Sequence, residues 1–158
     1  TDFATSTYAN KVEGATIVDI IAKAKLQCLG NKRKPNVVIM NELDIDNLAA
    51  LKDANENSVQ DRRVRWDNLG NPAMVCGLRV ILSPDQTANT LAVVDNSLLW
   101  IGKRKDMTME IGLNGTDLTE GQKTVVIKTR VAFGVRDKAG VIYSSNITTD
   151  VEAIDLAV

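Results

Sequence analysis

Residues 35–53, with the sequence PNVVIMNELDIDNLAALKD, constrain the fold more than any other part of the chain. Pro35 marks the start of an element, because proline does not fit inside a helix or a central strand. The run Val37–Met40 is short, apolar and rich in β-branched residues, which predicts a buried strand. Asn41 can then cap a following helix by accepting a hydrogen bond from a free N–H group. This segment therefore predicts a strand, a tight turn and a helix in direct succession.

The predicted helix after Asn41 is amphipathic. Glu42 and Asp44 fall in its first turn, where negative charge complements the helix dipole. Its apolar side follows the helical spacing i, i+3, i+4, i+7. The residues on that side are Ile45, Leu48, Ala49 and the alkyl part of Lys52.

A second amphipathic helix is predicted to begin at Thr16, with Asp19 as its capping-box partner. Gly30 and Asn31 end it in the usual C-terminal manner. The spacing predicts one apolar face made of Ile17, Ile20, Ile21, Ala24 and Cys28. The opposite, polar face carries Lys23, Lys25 and Gln27.

The rest of the chain is dominated by strand patterns. Strands are predicted at 77–83, 91–94, 124–136 and 141–143, with a third apolar patch at 98–101 and a clean alternation at 107–113. A basic turn is predicted at Lys103–Lys105, and Asn114-Gly115 is a strong turn signal. One face of the long strand 124–136 is expected to be wetter than the other.

This order of elements predicts an α+β fold with a mixed central sheet flanked by helices, because helices and strands do not alternate regularly. Residues 1–15 are interpreted as an arm or loop and residues 16–158 as a single domain. The chain begins with Thr1 rather than Met, which suggests a processed product or a fragment.

The sequence offers little to catalysis or cofactor binding. It contains no histidine, which removes the usual nucleophilic triads and the commonest zinc ligand. Asp44 and Asp46 lie two residues apart on a helix and so do not face each other. A calcium-loop pattern there lacks the required glycine and glutamate. We therefore expect a protein that is not an enzyme and binds no cofactor or metal. The two cysteines, Cys28 and Cys76, are expected to be buried thiols, with a disulfide or a reactive thiol as the alternatives.

Two surface segments are candidate interaction sites. The stretch Asp61–Trp66, which includes Arg62, Arg63 and Arg65, could contact nucleic acid, form a solvated hairpin with Trp66 pinned to the core, or contact protein. The second segment is the loop Pro84–Asn89. A net charge of −1 gives no sign of a free-standing nucleic-acid or membrane binder.

The order of motifs carries a family resemblance. It runs TIVDIIAKAKLQCL, PNVVIMN, LAALKD, GLRVILS, KTVVIKTRVAFGV and KAGVIY. This order resembles the C-terminal two-thirds of a tailed-phage major capsid protein with the shell fold first described in phage HK97. Arg79 stands where the family often has proline. The resemblance covers residues 16–144.

The resemblance implies an HK97-like division of the chain. Residues 16–113 with 137–146 would be axial-domain-like, and residues 114–136 peripheral-domain-like. The extended loop, the N-terminal arm and the spine helix of the family would precede Thr1. Some members form a covalent cross-link, but Gly121 and Lys128 stand near the positions of its acceptor and its assisting acid, so no cross-link is expected.

The implied function is that of a truncated structural subunit of an icosahedral capsid enclosing double-stranded DNA. Its implied partners are other copies of itself in pentamers and hexamers, packaged DNA without sequence preference, and portal or scaffold proteins. Its place would be the virion capsid, after assembly in the host cytoplasm, and this chain alone is expected to be monomeric. The candidate subunit-interface residues are Arg62, Arg63, Arg65, Trp66, Pro84, Asp85 and Gln86. An encapsulin-like nanocompartment shell and a small-molecule-binding module are the alternatives.

Overall fold

The structure, a computed structural model, describes residues 1–4, 13–49 and 63–155. Its helices are α1 (Ile17–Gly30), α2 (Glu42–Ala49), α3 (Asp117–Glu120) and α4 (Ile147–Ile154). Its strands are β1 (Val37–Met40), β2 (Val64–Trp66), β3 (Pro72–Val75), β4 (Leu78–Leu82), β5 (Leu91–Val94), β6 (Leu99–Gly112), β7 (Thr124–Val135) and β8 (Val141–Ser144).

Six of these strands form one sheet in the order β2-β3-β4-β1-β5-β8. The pair β1 and β4 is parallel, whereas the other pairs in this sheet are antiparallel. The sheet is therefore mixed, as the sequence predicts. The predicted strand Val37–Met40 lies near its centre, and Val38 and Met40 are fully buried there.

The start of α2 also follows the prediction. The Asn41 side chain accepts a hydrogen bond from Leu43 N at 2.9 Å. Ile45 and Leu48 are buried, as their spacing requires. The side chains of Ala49 and Lys52, also predicted on this face, lie outside the described residues.

Helix α1 supplies a large part of the core. All five residues of its predicted apolar face are buried. The prediction is wrong for Lys23 and Gln27, which are also buried. Gln27 lies under the N-terminal segment: its side chain accepts from Ala4 N at 3.1 Å and donates to Asp2 O at 3.0 Å. A polar residue on the helix is thus buried because the chain terminus satisfies its amide.

The outer edge of β8 is covered by the first residues of the chain. Phe3 N donates to Tyr143 O at 2.9 Å, and Tyr143 N donates to Thr1 O at 3.0 Å. The predicted arm is therefore ordered at residues 1–4, while residues 5–12 lie outside the described part. After β8, the tail forms α4, whose Ile147 and Ile154 are buried.

Strands β6 and β7 form a separate two-stranded antiparallel ribbon. The basic turn predicted at Lys103–Lys105 is wrong, because these residues continue β6 with register shifts rather than ending it. The prediction that one face of β7 is wetter than the other is also wrong, because neither face is buried. Nearly all of its residues are exposed, including Ile127 and Phe133.

The chain divides into two compact units. Unit 1 is Thr1–Leu98 with Asp137–Val158 and holds the six-stranded sheet, α1, α2 and α4. Unit 2 is Leu99–Arg136 and consists of the β6–β7 ribbon and the connection that contains α3.

Candidate functional site

The predicted arginine cluster lies at one edge of the six-stranded sheet. Arg65 and Trp66 belong to the edge strand β2, and Arg63 directly precedes it; Arg62 lies outside the described residues. Trp66 is 36% exposed, so it is only partly covered. The expected hairpin is present, since β2 pairs with β3 through a turn at Asp67–Asn71. The expected pinning of Trp66 to the core is wrong, because Trp66 is not among the side chains that pack against it.

Arg63 and Arg65 point into an open groove of about 650 Å³ between the hairpin and α1. The groove is lined by apolar and by basic side chains. Its lining is Ala22, Lys25, Leu26, Leu29, Arg63, Arg65, Met74, Cys76 and Gly77. Leu26 and Leu29 are 54% and 44% exposed, which is unusual for leucines on a helix that also forms the core. The combination suits an interface rather than a reaction centre.

Arg63 has a partner within the chain. Its guanidinium donates to an Asp19 carboxylate oxygen at 2.7 Å. The same carboxylate accepts from Thr16 N at 3.0 Å and from Thr16 Oγ1 at 2.9 Å, so it also caps α1. Burial raises the pKa of Asp19, but the hydrogen bonds from Arg63 and Thr16 outweigh burial and hold that pKa below its usual value. Arg63 therefore helps to fix the beginning of α1.

Lys25 is held at the same groove. Its ammonium group donates to Cys76 O at 2.7 Å, at the turn between β3 and β4. Cys76 and Gly77 form that turn with φ values of 52° and 77°, a left-handed backbone that suits a two-residue hairpin. The lysine thus satisfies a carbonyl group that a tight turn leaves open.

The Pro84–Asn89 loop is fixed at several points. Pro84 and Asp85 are exposed, whereas Gln86 is partly buried. Gln86 O accepts from the Asn41 side chain, and Gln86 Nε2 donates to Thr90 Oγ1 at 2.6 Å. A partner that contacts this loop would meet a preformed surface, so less conformational entropy would be lost on association.

Asn89 makes hydrogen bonds that connect this loop to two helices. Its backbone N–H contacts both carboxylate oxygens of the buried Asp44 at 3.0 Å. Its side chain accepts from Thr148 N and Thr148 Oγ1, both at 3.1 Å, and donates to Asn146 Oδ1 at 2.9 Å. Asn89 therefore connects α2, the loop and the beginning of α4.

The two predicted segments are partly brought together. Strand β2 runs parallel to β4, because each pairs antiparallel with β3. The turn after Trp66 and the loop after β4 therefore project from the same end of the sheet. Arg63 lies at the opposite end, where Cys76 N donates to its carbonyl at 2.8 Å. The arginines and the loop therefore do not form one continuous site.

A surface that the sequence analysis did not single out as a site is the apolar face of the β6–β7 ribbon. The register places alternate residues of both strands on the same side. We define this apolar face by Ile101, Met109, Ile111, Val125, Ile127, Val131, Phe133 and Val135, which are all exposed. Ile101 and Phe133, directly opposite each other, are 70% and 68% exposed. The alternation in the sequence indicates this face, but it predicts only that one side of the strand is wetter than the other.

The other side of the ribbon is different. Trp100 lies across two glycines: a Cβ on Gly134 would lie 2.4 Å from the Trp100 Nε1 atom, and one on Gly102 would lie 2.3 Å from its Cζ3 atom. Farther along, Lys105 is opposite Arg130, and Lys128 donates to Glu110 at 2.6 Å. We call the residues Lys105, Lys128 and Arg130 the basic face.

The basic cluster after α1 is also tied into the fold. Arg33 forms an ion pair with Asp137, and its Nε donates to that carboxylate at 2.9 Å. The N–H of Ala139 and then the guanidinium of Arg33 hold the pKa of Asp137 below its usual value. Asp95 accepts from Ser97 Oγ at 2.6 Å and from Lys34 N at 3.2 Å, and these bonds lower its pKa.

Metal binding and a reactive thiol each need a particular arrangement of side chains. No three His, Cys, Asp or Glu side chains in the described ranges are arranged to hold a metal ion. Both cysteines are free thiols. Burial raises the pKa of the Cys28 thiol to about 11, which makes it a poor nucleophile. Cys76 is only partly buried, contrary to expectation. No helix in the part of the chain that the structure describes has the length and hydropathy needed to cross a membrane.

Comparison with protein families identifies the family of this chain. The sequence pattern of the phage capsid family matches residues 2–145, which is most of the chain. No curated protein sequence matches it.

Solved structures agree with that match at the level of the fold. A chain from Microbacterium phage Oxtober96 has a TM-score of 0.60 and 20% identity, covering 84% of this chain and 49% of its own length. A chain from Gordonia phage Cozz has a TM-score of 0.63 and 13% identity, covering 89% and 50%. A virus-like particle from Pyrococcus furiosus has a TM-score of 0.54 and 10% identity, covering 89% and 58%. The chain thus spans about half the length of these structures.

Proposed function

Because this chain belongs to the phage capsid family, we propose that it is the folded core of a bacteriophage capsid subunit, whose copies assemble into a closed icosahedral shell around double-stranded DNA. The fold shared with phage structures supports this proposal. The protein acts in the virion capsid, which is assembled in the host cytoplasm. An encapsulin-like shell is not favoured, because the matched family is that of phage capsids.

The observation that carries the proposal is the exposed apolar face of the ribbon. Monomeric soluble proteins rarely expose a contiguous apolar patch this rich in large side chains. Met109 and Ile127 are directly opposite each other and both more than 60% exposed. A ribbon built this way needs protein to cover it, as a subunit of a larger assembly does.

We assign the two compact units to the two parts of such a subunit. Unit 1, with the six-stranded sheet, corresponds to the axial-like part, and unit 2 to the peripheral-like part. This assignment places the boundary at Leu98 rather than at residue 113, because β6 is paired with β7 along its length. Rings of subunits require heterologous contacts, in which one patch meets a different patch.

Electron microscopy of particles made from the complete gene tests the proposal directly. Closed icosahedral shells are expected when the gene is expressed with whatever coding sequence flanks this chain. Soluble monomers from the complete gene would contradict the proposal.

Arg65→Glu tests the arginine edge as a ring contact. Arg65 is exposed and lines the groove, so charge reversal should stop shell assembly without unfolding the domain. Arg63→Glu is a less selective change, because it would place a carboxylate beside Asp19. Assembly is measured by sedimentation and microscopy of the complete protein.

The matched control is Lys34→Glu, an equal change of charge at another exposed position. This variant should assemble normally. Normal shells from Arg65→Glu would remove the arginine edge from the interface while leaving the capsid function intact.

A further inference from the structure

The basic face of the ribbon has an arrangement of charge that the fold itself does not explain. Lys105 and Arg130 are directly opposite each other on neighbouring strands, and both are exposed. Like charges at directly opposite positions destabilise a strand pair. A third cation, Lys128, lies two residues before Arg130 on the same strand and therefore on the same side of the ribbon.

The acidic residues of the ribbon neutralise Lys128 but not Lys105 and Arg130. Glu110 pairs with Lys128 at 2.6 Å. Asp106 is the other acidic residue of β6, and it lies where the register shifts between Lys105 and Thr108. Across unit 2, seven Lys and Arg residues against four Asp and Glu residues give a formal charge of +3, although the whole chain carries −1. Positive charge is thus concentrated in the ribbon unit.

The surroundings of the basic face favour a polyanion over a protein partner. The cores of protein interfaces are depleted in charge and rich in apolar side chains. Most of the apolar side chains lie on the opposite side of this ribbon, whereas the nearest neighbours of Lys105 and Arg130 on their own side are Thr108, Lys128 and Ala132. The exposed apolar residues Val126 and Trp100 lie farther along that side, in opposite directions from the cations. Double-stranded DNA presents one negative charge per about 1.7 Å of helix axis, so neighbouring cations can each meet a phosphate group.

We propose that the basic face binds the phosphate backbone of double-stranded DNA without sequence preference. This inference rests on the proposed capsid function, which supplies DNA as the enclosed polyanion. Lys105 and Arg130 contact phosphate groups, and the contact relieves their mutual repulsion. Lys128 contributes less, because Glu110 already neutralises it.

Lysine labelling of assembled particles tests the proposal. Empty and DNA-filled shells of the complete protein are treated with an acetylating reagent, and the modification of Lys105 is measured by mass spectrometry. We expect Lys105 to react in empty shells and to be protected in filled shells. Lys34, an exposed lysine of unit 1, serves as the reference. Protection of Lys105 in both particles would identify a protein contact, and reaction in both would show a free surface; either result overturns the proposal.

A binding measurement on the chain itself gives an independent test. The probe is a fluorescent duplex of random sequence, about 20 base pairs long so that it spans about two helical turns, and its anisotropy is followed at low salt. Lys105→Gln with Arg130→Gln should weaken binding about tenfold and reduce the slope of log K against log salt by about 2. Lys34→Gln with Arg79→Gln makes the same change of net charge on unit 1 and should have little effect.

The outcomes separate the two proposals. The doubly substituted complete protein should still form closed shells, because the apolar face and the edge of the sheet are unchanged. Shells together with unchanged DNA affinity would overturn the DNA contact and leave the capsid function standing. Loss of shells in this variant would show that the face is a subunit contact, which also overturns the DNA contact.

Discussion

At the scale of single residues, the ribbon is organised around Trp100. The indole covers Gly102 and Gly134, where any side chain would collide with it. Glycine is usually unfavourable inside a strand because it leaves a gap on the sheet surface. Here the Trp100 ring fills the gap, from the neighbouring strand for Gly134 and from the same strand for Gly102, so the glycines and the tryptophan depend on each other.

Gly134→Ala should displace the Trp100 ring, because the new Cβ would lie 2.6 Å from Cε2. The displaced indole becomes more exposed, and its fluorescence emission should shift to longer wavelength. The measurement is made with Trp66→Phe as background so that Trp100 is the only emitter. Gly112→Ala is the control, because no atom lies within 4 Å of its added Cβ. An unchanged spectrum for Gly134→Ala would contradict the packing described.

The charge of Asp19 should contribute to stability in a pH-dependent way. Its pKa is lowered in the folded state, so its contribution to stability is complete above its ordinary pKa of 3.8 and is lost as the pH falls through the lower folded value. Asp19→Asn should lower the free energy of unfolding at neutral pH by about 1 kcal/mol, the usual size of a helix-cap effect.

The same variant should flatten the fall in stability below pH 4, measured by urea unfolding at several pH values. Some fall will remain, because the pKa values of Asp95 and Asp137 are also lowered. Asp85→Asn, at an exposed loop position, should leave the curve unchanged. A curve of the original shape for Asp19→Asn would mean that Arg63 and Thr16 do not stabilise the charged form.

At the scale of elements, α4 depends on a loop that is distant in sequence. Asn146 caps the helix by accepting from Thr149 N at 3.1 Å, and Asn89 accepts from Thr148. Asn89 has φ 63°, in the left-handed region that asparagine tolerates better than most residues. Its side chain and its backbone therefore both matter to the attachment of α4.

Asn89→Ala should destabilise the fold by about 1–3 kcal/mol, because it removes side-chain hydrogen bonds and strains the backbone. Asn89→Gly should cost less, since glycine accepts the positive φ without strain. Hydrogen exchange at Thr148 and Thr149 should accelerate in both variants. Equal stability losses for alanine and glycine would show that backbone conformation plays no part.

The elements also show where sequence reasoning succeeds. The strand at Val37–Met40 and the caps at Asn41 and Thr16 are local signals, and local signals were sufficient. Helix α4 was missed, although Asn146 followed by Ile147, Val151 and Ile154 has a cap and helical spacing. The run Lys103–Lys105 is predicted as a basic turn, but it continues β6, where all three cations are exposed to solvent.

At the scale of the whole molecule, the two units should differ in stability. Unit 1 has a buried core, including Val38, Met40 and Ile142, whereas almost every residue of β7 is exposed. A two-stranded ribbon without a covered face is marginally stable by itself. Amide hydrogens of β6 and β7 should therefore exchange faster than those of β1 and β5, as measured by mass spectrometry. Equal protection would contradict this difference.

The sequence does not predict whether the apolar face of the ribbon is buried or exposed. Alternation at Val125, Ile127, Val131 and Phe133 identifies an apolar face, but the same pattern serves a core or an interface. Whether such a face is covered within one chain depends on elements that must be placed in space. The buried Gln27 shows the converse, since its polar side chain is hydrogen-bonded to Asp2 and Ala4, which are distant in sequence.

The chain leaves unit 1 after Leu98 and returns to it at Asp137. These two points lie between β5 and β8, which are neighbours in the sheet. Asp95 N donates to Gly140 O at 2.9 Å, so the exit and the return are close together. Unit 2 is in this sense an insertion in a hairpin connection. Its length and surface can diverge during evolution without disturbing the sheet, and another module could be grafted at the same junction.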